Sequence, residues 1–388
     1  MNVLIIPSWY PAEKDEVFGS FFREQSIAEA KDGNFVVVLN GTFAPCSEIM
    51  TEKCLKLVVQ EDSGVRVYRK MIPSFGYSHV VPLFIGMFRL RIGELLAAFQ
   101  KDYPQLRIDI IHAHSCYPAG VIACEIGKKL NVPVVITEHR STYLGNPISK
   151  KQIEVLNKCI QGCNRFLCVS EALKKNIIRN LFPSDKFTVL PNIVSNAFYY
   201  KSEKKKNKDD FVFISVGGLI PRKRHLQLVR CFFEAFSKTK SVKLLIAGEG
   251  NERGQLEEFI SSHKCYNQIE LLGQIKREEV VEYLQNSDVF VLPSAYETFG
   301  VAYIEALACG VPVIAARNGG ANEIINEKNG ILVDVDDDEQ LKWALLNMYY
   351  NSKSYDPKTI AESARNLYSE DTIINHLQTI YTEAISEY

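Results

Sequence analysis

The stretch from Val289 to Glu323 limits the folds open to this chain more than any other part of the sequence. Its apolar run Val289–Leu292 predicts a short buried strand, and a loop follows that run. A helix is predicted from Phe299 to Cys309, because a glycine and a proline come directly after it. The apolar run Val313–Ala316 predicts a second strand. Strand, loop, helix and strand make a βαβ unit, whose loop lies at the ligand-binding edge of an open α/β sheet.

Two glutamates flank the predicted start of this helix, and the backbone between them suits an anion. Glu297 lies on the loop, and Glu305 lies two turns into the helix. Four amides at the helix start have no intrahelical partner and, with the helix dipole, predict a seat for a phosphate group: those of Thr298, Phe299, Gly300 and Val301. An amphipathic helix with two solvated glutamates is the alternative. Apolar neighbours of Glu305 argue against it, because an idle charge is costly there.

Length and charge predict two ordinary globular domains. The chain has 388 residues, of which 46% are hydrophobic and 23% charged, and its net charge is −1. Residues 1–200 carry 23 Lys and Arg against 18 Asp and Glu, whereas the remainder carries 22 against 28. A basic first half suits a domain that faces anionic lipid or an anionic acceptor, although scattered surface charge would give the same division.

The start of the chain and its cysteines predict a cytoplasmic protein. Asn2–Ile6 is a predicted strand with no basic segment before it, so no signal peptide is expected. The longest apolar stretch, Val80–Phe88, is too short to span a membrane. Ten cysteines without a secretion signal indicate a reducing compartment. Three close cysteines fit no zinc spacing and are interpreted as core residues: Cys159, Cys163 and Cys168.

The residues around Glu297 resemble the donor site of a known enzyme family. Glu297 and Glu305 form a Glu-x7-Glu pair inside the string ETFGVAYIEALACGVPVI, which resembles the retaining glycosyltransferases of family 4. The resemblance covers nearly the whole chain and is strongest from Phe211 to Val333. It implies the GT-B fold, an α/β architecture in which two Rossmann-like, doubly wound domains face a cleft. The alternation of predicted strands and helices independently favours two such domains.

The resemblance also divides the chain into regions with different tasks. Residues 1–195 form the implied acceptor-binding domain, and residues 196–371 form the implied donor-binding domain. The final helix, within 372–388, is expected to pack back on the first domain. The charged segment 201–210 is predicted to be a solvated connector and not a nucleic-acid patch, because aromatic residues do not interleave its lysines. No nucleic-acid partner is expected.

In the second domain the resemblance implies a clamp for the donor diphosphate. Lys223 matches the family's lysine, whereas Gly218 stands where the family usually has an arginine. Arg222 or Arg224 could supply the missing charge, because two cations suit a departing diphosphate. Further donor contacts are expected at strand exits and in the loop before the central helix: Gly248, Gln274, Ile275 and Ser294.

In the first domain the resemblance implies contacts to both substrates. Gly19, with Ser20, is expected under the donor diphosphate, with an ordinary surface turn as the alternative. His114, at the end of a predicted strand, is expected to face the cleft beside the transferred sugar. The string Glu138-His139-Arg140, after the next strand, resembles acceptor-side residues, with Glu138 and His139 as the expected acceptor contacts. The helix predicted over His79–Tyr103 has an apolar face, which favours core packing over contact with a membrane.

Two strings that imitate other ligand sites predict no cofactor. Gly248–Gly254 imitates the dinucleotide fingerprint G-x-G-x-x-G, but its third glycine comes one residue late, so NAD is not expected. Asp334–Asp336 looks like the D-x-D metal site of the other major glycosyltransferase fold. Acidic residues before a helix explain this string without a metal.

The implied reaction transfers a sugar, with retention, from a UDP- or GDP-sugar to a hydroxyl of a glycan or lipid-linked acceptor. His114 and Glu297 are the expected catalytic residues, and Glu305 is expected to accept hydrogen bonds from the ribose hydroxyls. The family's common setting is capsule, lipopolysaccharide or other surface-polysaccharide synthesis at the cytoplasmic face of the membrane. Two alternatives remain: a weakly catalytic scaffold subunit that binds a nucleotide sugar, which Gly218 favours, and a GT-B relative such as a sugar phosphorylase or epimerase.

Overall fold

The computed structural model describes most of the chain. The described residues are 1–11, 19–44, 56–73, 81–144, 147–181, 184–203, 205 and 209–388. The first two residues of the helix predicted over His79–Tyr103 and part of the predicted connector 201–210 lie outside this set.

An eight-stranded sheet forms the centre of the first domain, and its interior strands are built from apolar runs that are buried on both faces. The strands in chain order are β1 (Asn2–Pro7), β2 (Phe35–Asn40), β3 (Phe43–Ala44), β4 (Val58–Asp62), β5 (Val65–Arg69), β6 (Ile72–Pro73), β7 (Ile110–His114), β8 (Val134–Glu138), β9 (Arg165–Cys168) and β10 (Phe187–Val189). Their order in the sheet is β10-β9-β8-β7-β1-β2-β5-β4, while β3 and β6 form a separate pair. β4 is antiparallel to β5, and the other pairs are parallel.

Helices cover both faces of this sheet. They are α1 (Ser20–Lys31), α2 (Val81–Asp102), α3 (Val121–Leu130), α4 (Lys150–Gly162) and α5 (Glu171–Ile178). α2 corresponds to the helix predicted over 79–103. Its residues Leu95 and Phe99 are in the core, as expected for core packing, whereas Leu83 and Leu90 are 43% and 71% exposed.

The second domain contains a six-stranded, fully parallel sheet with the order β13-β12-β11-β14-β15-β16. Its strands are β11 (Phe211–Val216), β12 (Val242–Ala247), β13 (Ile269–Gly273), β14 (Val289–Leu292), β15 (Val313–Ala316) and β16 (Gly330–Val333). Its helices are α6 (His225–Phe236), α7 (Arg253–Ser262), α8 (Arg277–Asn286), α9 (Val301–Ala308), α10 (Ala321–Ile324), α11 (Asp338–Asn351) and α12 (Pro357–Tyr368). The order reverses between β11 and β14, which places a crevice at their carboxyl ends.

The last helix, α13 (Glu370–Ser386), crosses back to the first domain. The Tyr381 hydroxyl donates to Glu29 on α1 over 3.1 Å and lies 2.6 Å from Nδ1 of His112 on β7. The two domains also meet at α5, where the Glu323 carboxylate accepts the backbone amides of Glu171 and Ala172. Two Rossmann-like domains with facing sheet edges confirm the predicted fold class.

Candidate functional site

A cavity of about 680 Å³ lies between the domains, at the carboxyl ends of both sheets. The second domain supplies most of its wall, and the first domain closes it with the start of α1. Eight of the residues predicted to contact the donor or lie beside it line this cavity: Gly19, Ser20, Lys223, Gly248, Gln274, Ile275, Val301 and Glu305. The structure therefore brings predicted residues from both domains together at one cavity.

Lys223 joins the cavity wall to the buried carboxylate of Glu297. A short 3₁₀ turn, Pro221–Lys223, follows β11 and brings Nζ of Lys223 to 2.5 Å from Oε1 of Glu297. Arg222 lies 3.8 Å from the other oxygen, and its guanidinium stacks over the Tyr296 ring at 5.3 Å. Burial alone would raise the pKa of Glu297, but the positive charges of Lys223 and Arg222 outweigh it and lower that pKa. Glu297 is therefore held as a carboxylate beside two cations.

Glu305 is held by an arginine that the sequence analysis missed. Arg277, the first residue of α8, contacts the Glu305 carboxylate and also lies 2.9 Å from Glu24 on α1. Its guanidinium stacks over the buried Phe198 ring at 4.6 Å. Burial raises the pKa of Glu305, while the charge of Arg277 opposes that rise. Arg277 thus links the predicted ribose-binding carboxylate of Glu305 to Glu24 of the first domain. The sequence signal that could have identified Arg277 is its position at the start of a helix that follows a strand exit.

The helix that carries Glu305 begins later than predicted. α9 starts at Val301, because Gly300 adopts a left-handed conformation with φ of 104° before it. The Tyr303 amide then bonds the Gly300 carbonyl, so the free amides that face the cavity are those of Val301 and Ala302. Of the four predicted amides, only that of Val301 belongs to a residue that lines the cavity.

The remaining predicted residues of this loop lie outside the cavity wall. Phe299 is buried and packs against Tyr368, and Ser294 is completely buried. The Thr298 carbonyl accepts a 2.5 Å hydrogen bond from Ser170, the N-cap of α5 in the first domain. Thr298 thus connects the two domains, and none of these three residues lines the cavity.

Gly248 lines the cavity, and a side chain at this position is excluded sterically. A Cβ atom at Gly248 would lie 2.0 Å from the Gly217 carbonyl oxygen, so the loops after β11 and β12 can approach only without a side chain. Gly218, in contrast, has room, since its Cβ would meet its nearest neighbour, the Glu249 carbonyl oxygen, at 3.8 Å.

On the first-domain side, His114 does not face the cleft as predicted. It ends β7, but its side chain is fully buried against the Phe22 ring, with ring centroids 4.7 Å apart. Nδ1 of His114 lies 3.2 Å from Nε2 of His139, and its Nε2 is buried without a hydrogen-bond partner. Burial lowers the pKa of His114 to about 3 and the pKa of His139 well below its usual range. Both rings are neutral at pH 7, and neither residue lines the cavity.

Glu138 is not available to an acceptor, contrary to the prediction. Its side chain is completely buried, and its oxygens accept three backbone amides at 2.8 Å, those of Cys116, His139 and Arg140. This carboxylate fixes the loops after β7 and β8. His139 is also buried, at 7% exposure.

Comparison with known proteins assigns this architecture to a family. The family model described as Glycosyl transferases group 1 matches residues 199–366, and the model described as Glycosyltransferase Family 4 matches residues 30–197. Together they cover both domains around the cavity. The chain is a family 4-like glycosyltransferase.

Individual relatives agree with this assignment, and a solved structure agrees with the fold. An uncharacterized glycosyltransferase of Methanocaldococcus jannaschii is 28% identical over 281 residues, which are 71% of this chain and 76% of the relative. The alpha-monoglucosyldiacylglycerol synthase of Acholeplasma laidlawii is 26% identical over 326 residues, 76% of this chain and 81% of the relative. The structure of sucrose-phosphate synthase from Thermosynechococcus elongatus superimposes with a TM-score of 0.81 at 19% identity and covers 100% of both chains.

Arg222 and Arg224 were predicted as replacements for the family arginine expected at the position of Gly218. The structure distinguishes these two residues. Arg224 pairs with Asp336 at 2.7 Å, and both side chains are more than a third exposed. Arg222 instead lies beside Glu297 and Lys223. Of the two, Arg222 is therefore the cation placed next to the cavity.

The acidic string 334–338 has structural tasks in this glycosyltransferase. Asp336 pairs with Arg224, and Asp337 caps α11 by accepting the Gln340 amide. Over the described ranges, no group of three His, Cys, Asp or Glu residues is arranged to hold a metal ion. Within the same ranges, none of the helices has the length and apolarity needed to span a bilayer.

Proposed function

We propose that this glycosyltransferase moves a sugar, with retention, from a nucleoside-diphosphate sugar to a hydroxyl of a glycan or lipid-linked acceptor. The observation that carries this proposal is the interdomain cavity. Its wall includes Lys223, the start of α9 and Glu305 within that helix. Cations and free helix amides bind a diphosphate, and a carboxylate binds the two ribose hydroxyls.

The Lys223–Glu297 pair gives the departing diphosphate a preorganised partner. Glu297 holds the ammonium group at the cavity wall before any donor binds, so little reorganisation is needed when charge develops on the leaving group. Glu297, kept ionised, places negative charge near the developing sugar cation. Closure of the first domain over the cavity excludes water, which protects the donor from hydrolysis.

Retention is best explained by attack on the same face from which the diphosphate leaves. A double-displacement route needs a carboxylate nucleophile beside the sugar. Glu138, a carboxylate at the carboxyl end of β8, is engaged by three backbone amides. In the same-face route the departing phosphate takes the proton of the acceptor hydroxyl.

A lipid-linked acceptor at the cytoplasmic face of the membrane fits the surface of the first domain. Leu83 and Leu90 are exposed on α2, and the first half of the chain is basic. The relative from Acholeplasma laidlawii is named for a glycosylated diacylglycerol. Surface-polysaccharide synthesis is the setting that we propose.

Release of nucleoside diphosphate from a panel of UDP-, GDP- and ADP-sugars tests the reaction without a known acceptor. We expect slow release from one donor by the wild type and at least a tenfold slower release by Glu297→Gln, with exposed Glu327→Gln unchanged. Absence of release and of binding for every donor would refute the proposed reaction.

A further inference from the structure

One guanidinium and four aromatic rings form a continuous row at the carboxyl edge of the first domain. Arg140 follows β8, and its guanidinium carbon lies 5.4 Å from the Trp9 ring centre and 5.7 Å from the Tyr117 ring centre. Trp9 follows β1 and Tyr117 follows β7, so adjacent strands bring these residues together. Tyr117 stacks on Phe84 at 5.4 Å, and Phe84 stacks on Phe43 at 4.0 Å. We call these five residues the Arg140 row.

Arg140 is a cation without a carboxylate partner among the described residues. Its Nη2 donates to the Tyr117 carbonyl over 2.7 Å, while its Nε is buried without an acceptor. The Glu138 carboxylate on the same loop is occupied by backbone amides. Arg222 and Arg277, in contrast, both lie within 4 Å of glutamate oxygens. A partly buried guanidinium without an ion pair keeps its capacity for an anionic ligand.

The row begins next to the donor cavity and leads away from it. A Cβ on Gly19, which lines the cavity, would lie 3.0 Å from the Trp9 ring, so Trp9 and the cavity wall are in contact. Toward its other end the row includes Phe84 on α2, which is beside the exposed Leu83, and then Phe43. A molecule lying along the row would therefore have one end at the cavity and the other toward an apolar surface.

We propose that Arg140 binds an anionic group, phosphate or carboxylate, of the acceptor, while Trp9 and Tyr117 flank that group. This inference rests on the proposed transfer reaction, since it assigns the acceptor of the same site. The two flanking rings hold the guanidinium by cation–π contacts, and its free N–H groups suit a planar or tetrahedral oxyanion. Within the predicted string Glu138-His139-Arg140, the first two side chains are buried, and Arg140 is the residue that we assign to the acceptor.

Fluorescence of Trp9 tests this assignment directly. The chain has two tryptophans, and Trp343 is 57% exposed on α11, so a Trp343→Phe background leaves Trp9 as the reporter. Glycerol 3-phosphate and glucuronate are titrated, with glycerol and glucose as neutral counterparts. We expect a saturable change in Trp9 fluorescence with one or both anions and none with the neutral compounds. Arg140→Gln should bind the anion at least about tenfold more weakly. Arg140→Lys, which keeps the charge, should lie between them. The stronger anion identifies a lipid-headgroup phosphate or an acidic sugar as the source.

Lys223→Gln distinguishes the Arg140 row from the donor cavity. An anion response that survives in Lys223→Gln and disappears in Arg140→Gln supports the proposal. The reverse pattern, equal binding by the wild type and Arg140→Gln, or no saturable response would overturn it. Nucleoside-diphosphate release without an anion response would overturn only the Arg140 assignment, whereas an anion response in a protein that neither binds nor cleaves any donor would overturn the proposed transfer.

Discussion

At the cleft, Glu297 and Glu305 of the second domain are paired with cations. In the first domain, Glu24 joins one of these pairs, whereas the side chains at the carboxyl ends of β7 and β8 form no ion pair among the described residues. Lys223 holds Glu297 and Arg277 holds Glu305. Across the cavity, His114 is buried without charge and Glu138 is bound by backbone amides. The proposed donor side therefore presents fixed, paired charges, while Arg140 on the proposed acceptor side has no carboxylate partner among the described residues. This contrast fits a donor that varies little and an acceptor that defines the individual enzyme.

Breaking the most buried pair of the second domain should have the largest effect on stability. Arg277→Ala leaves Glu305 and Glu24 in a site where their side chains are 4% and 12% exposed, so we expect a loss of about 3–5 kcal/mol in the free energy of unfolding. Arg253→Ala is the matched control, because Arg253 also pairs with two glutamates but at the surface, and it should cost less than about 1 kcal/mol. Equal losses in urea denaturation would show that burial of the pair is unimportant.

Glu138→Gln tests whether this first-domain carboxylate is structural. A glutamine has one acceptor oxygen for three amide donors, so we expect a loss of about 2 kcal/mol, compared with less than about 0.5 kcal/mol for exposed Glu154→Gln. Guanidinium denaturation measures both variants. A fully stable Glu138→Gln protein that fails only with acceptor present would return Glu138 to the acceptor site.

The buried histidines of the first domain should make stability depend on pH. The pKa of His114 is about 3 in the folded state and near 6.5 when unfolded, so its stabilising effect is complete above pH 6.5 and is lost as the pH falls below that value. Between pH 7 and 5 we expect wild type to lose about 2 kcal/mol more than His114→Gln. Exposed His376→Gln should lose as much as wild type. The same loss in all three proteins would contradict a buried, neutral His114.

Sequence motifs located the donor side better than the acceptor side, for a physical reason. Lys223 and Gly248 follow strands, and Glu305 lies in the helix after a strand. The strand–helix pattern of the sequence predicts which edge of the sheet such residues occupy, and all three line the cavity. The exact start of α9 depended on the left-handed Gly300, which the pattern alone did not reveal.

The tertiary contacts of the first domain were beyond the reach of local pattern. Phe22 on α1 packs against His114 on β7. Trp9 and Tyr117, which follow β1 and β7, meet Arg140, which follows β8. Arg277 likewise bridges the two domains through its contact with Glu24, which is 253 positions away in the chain. Such side chains are brought together by the fold and not by any spacing in the sequence.

Calorimetric titration of UDP and GDP into wild type and Lys223→Ala tests the central claim most directly, because the paired cation of the second domain is the proposed diphosphate ligand. We predict that wild type binds one of the two nucleotides and that Lys223→Ala binds it about 10- to 100-fold more weakly, with exposed Lys328→Ala unchanged and all three proteins folded by thermal melting. Unchanged affinity in Lys223→Ala, or binding of neither nucleotide by wild type, would contradict the account.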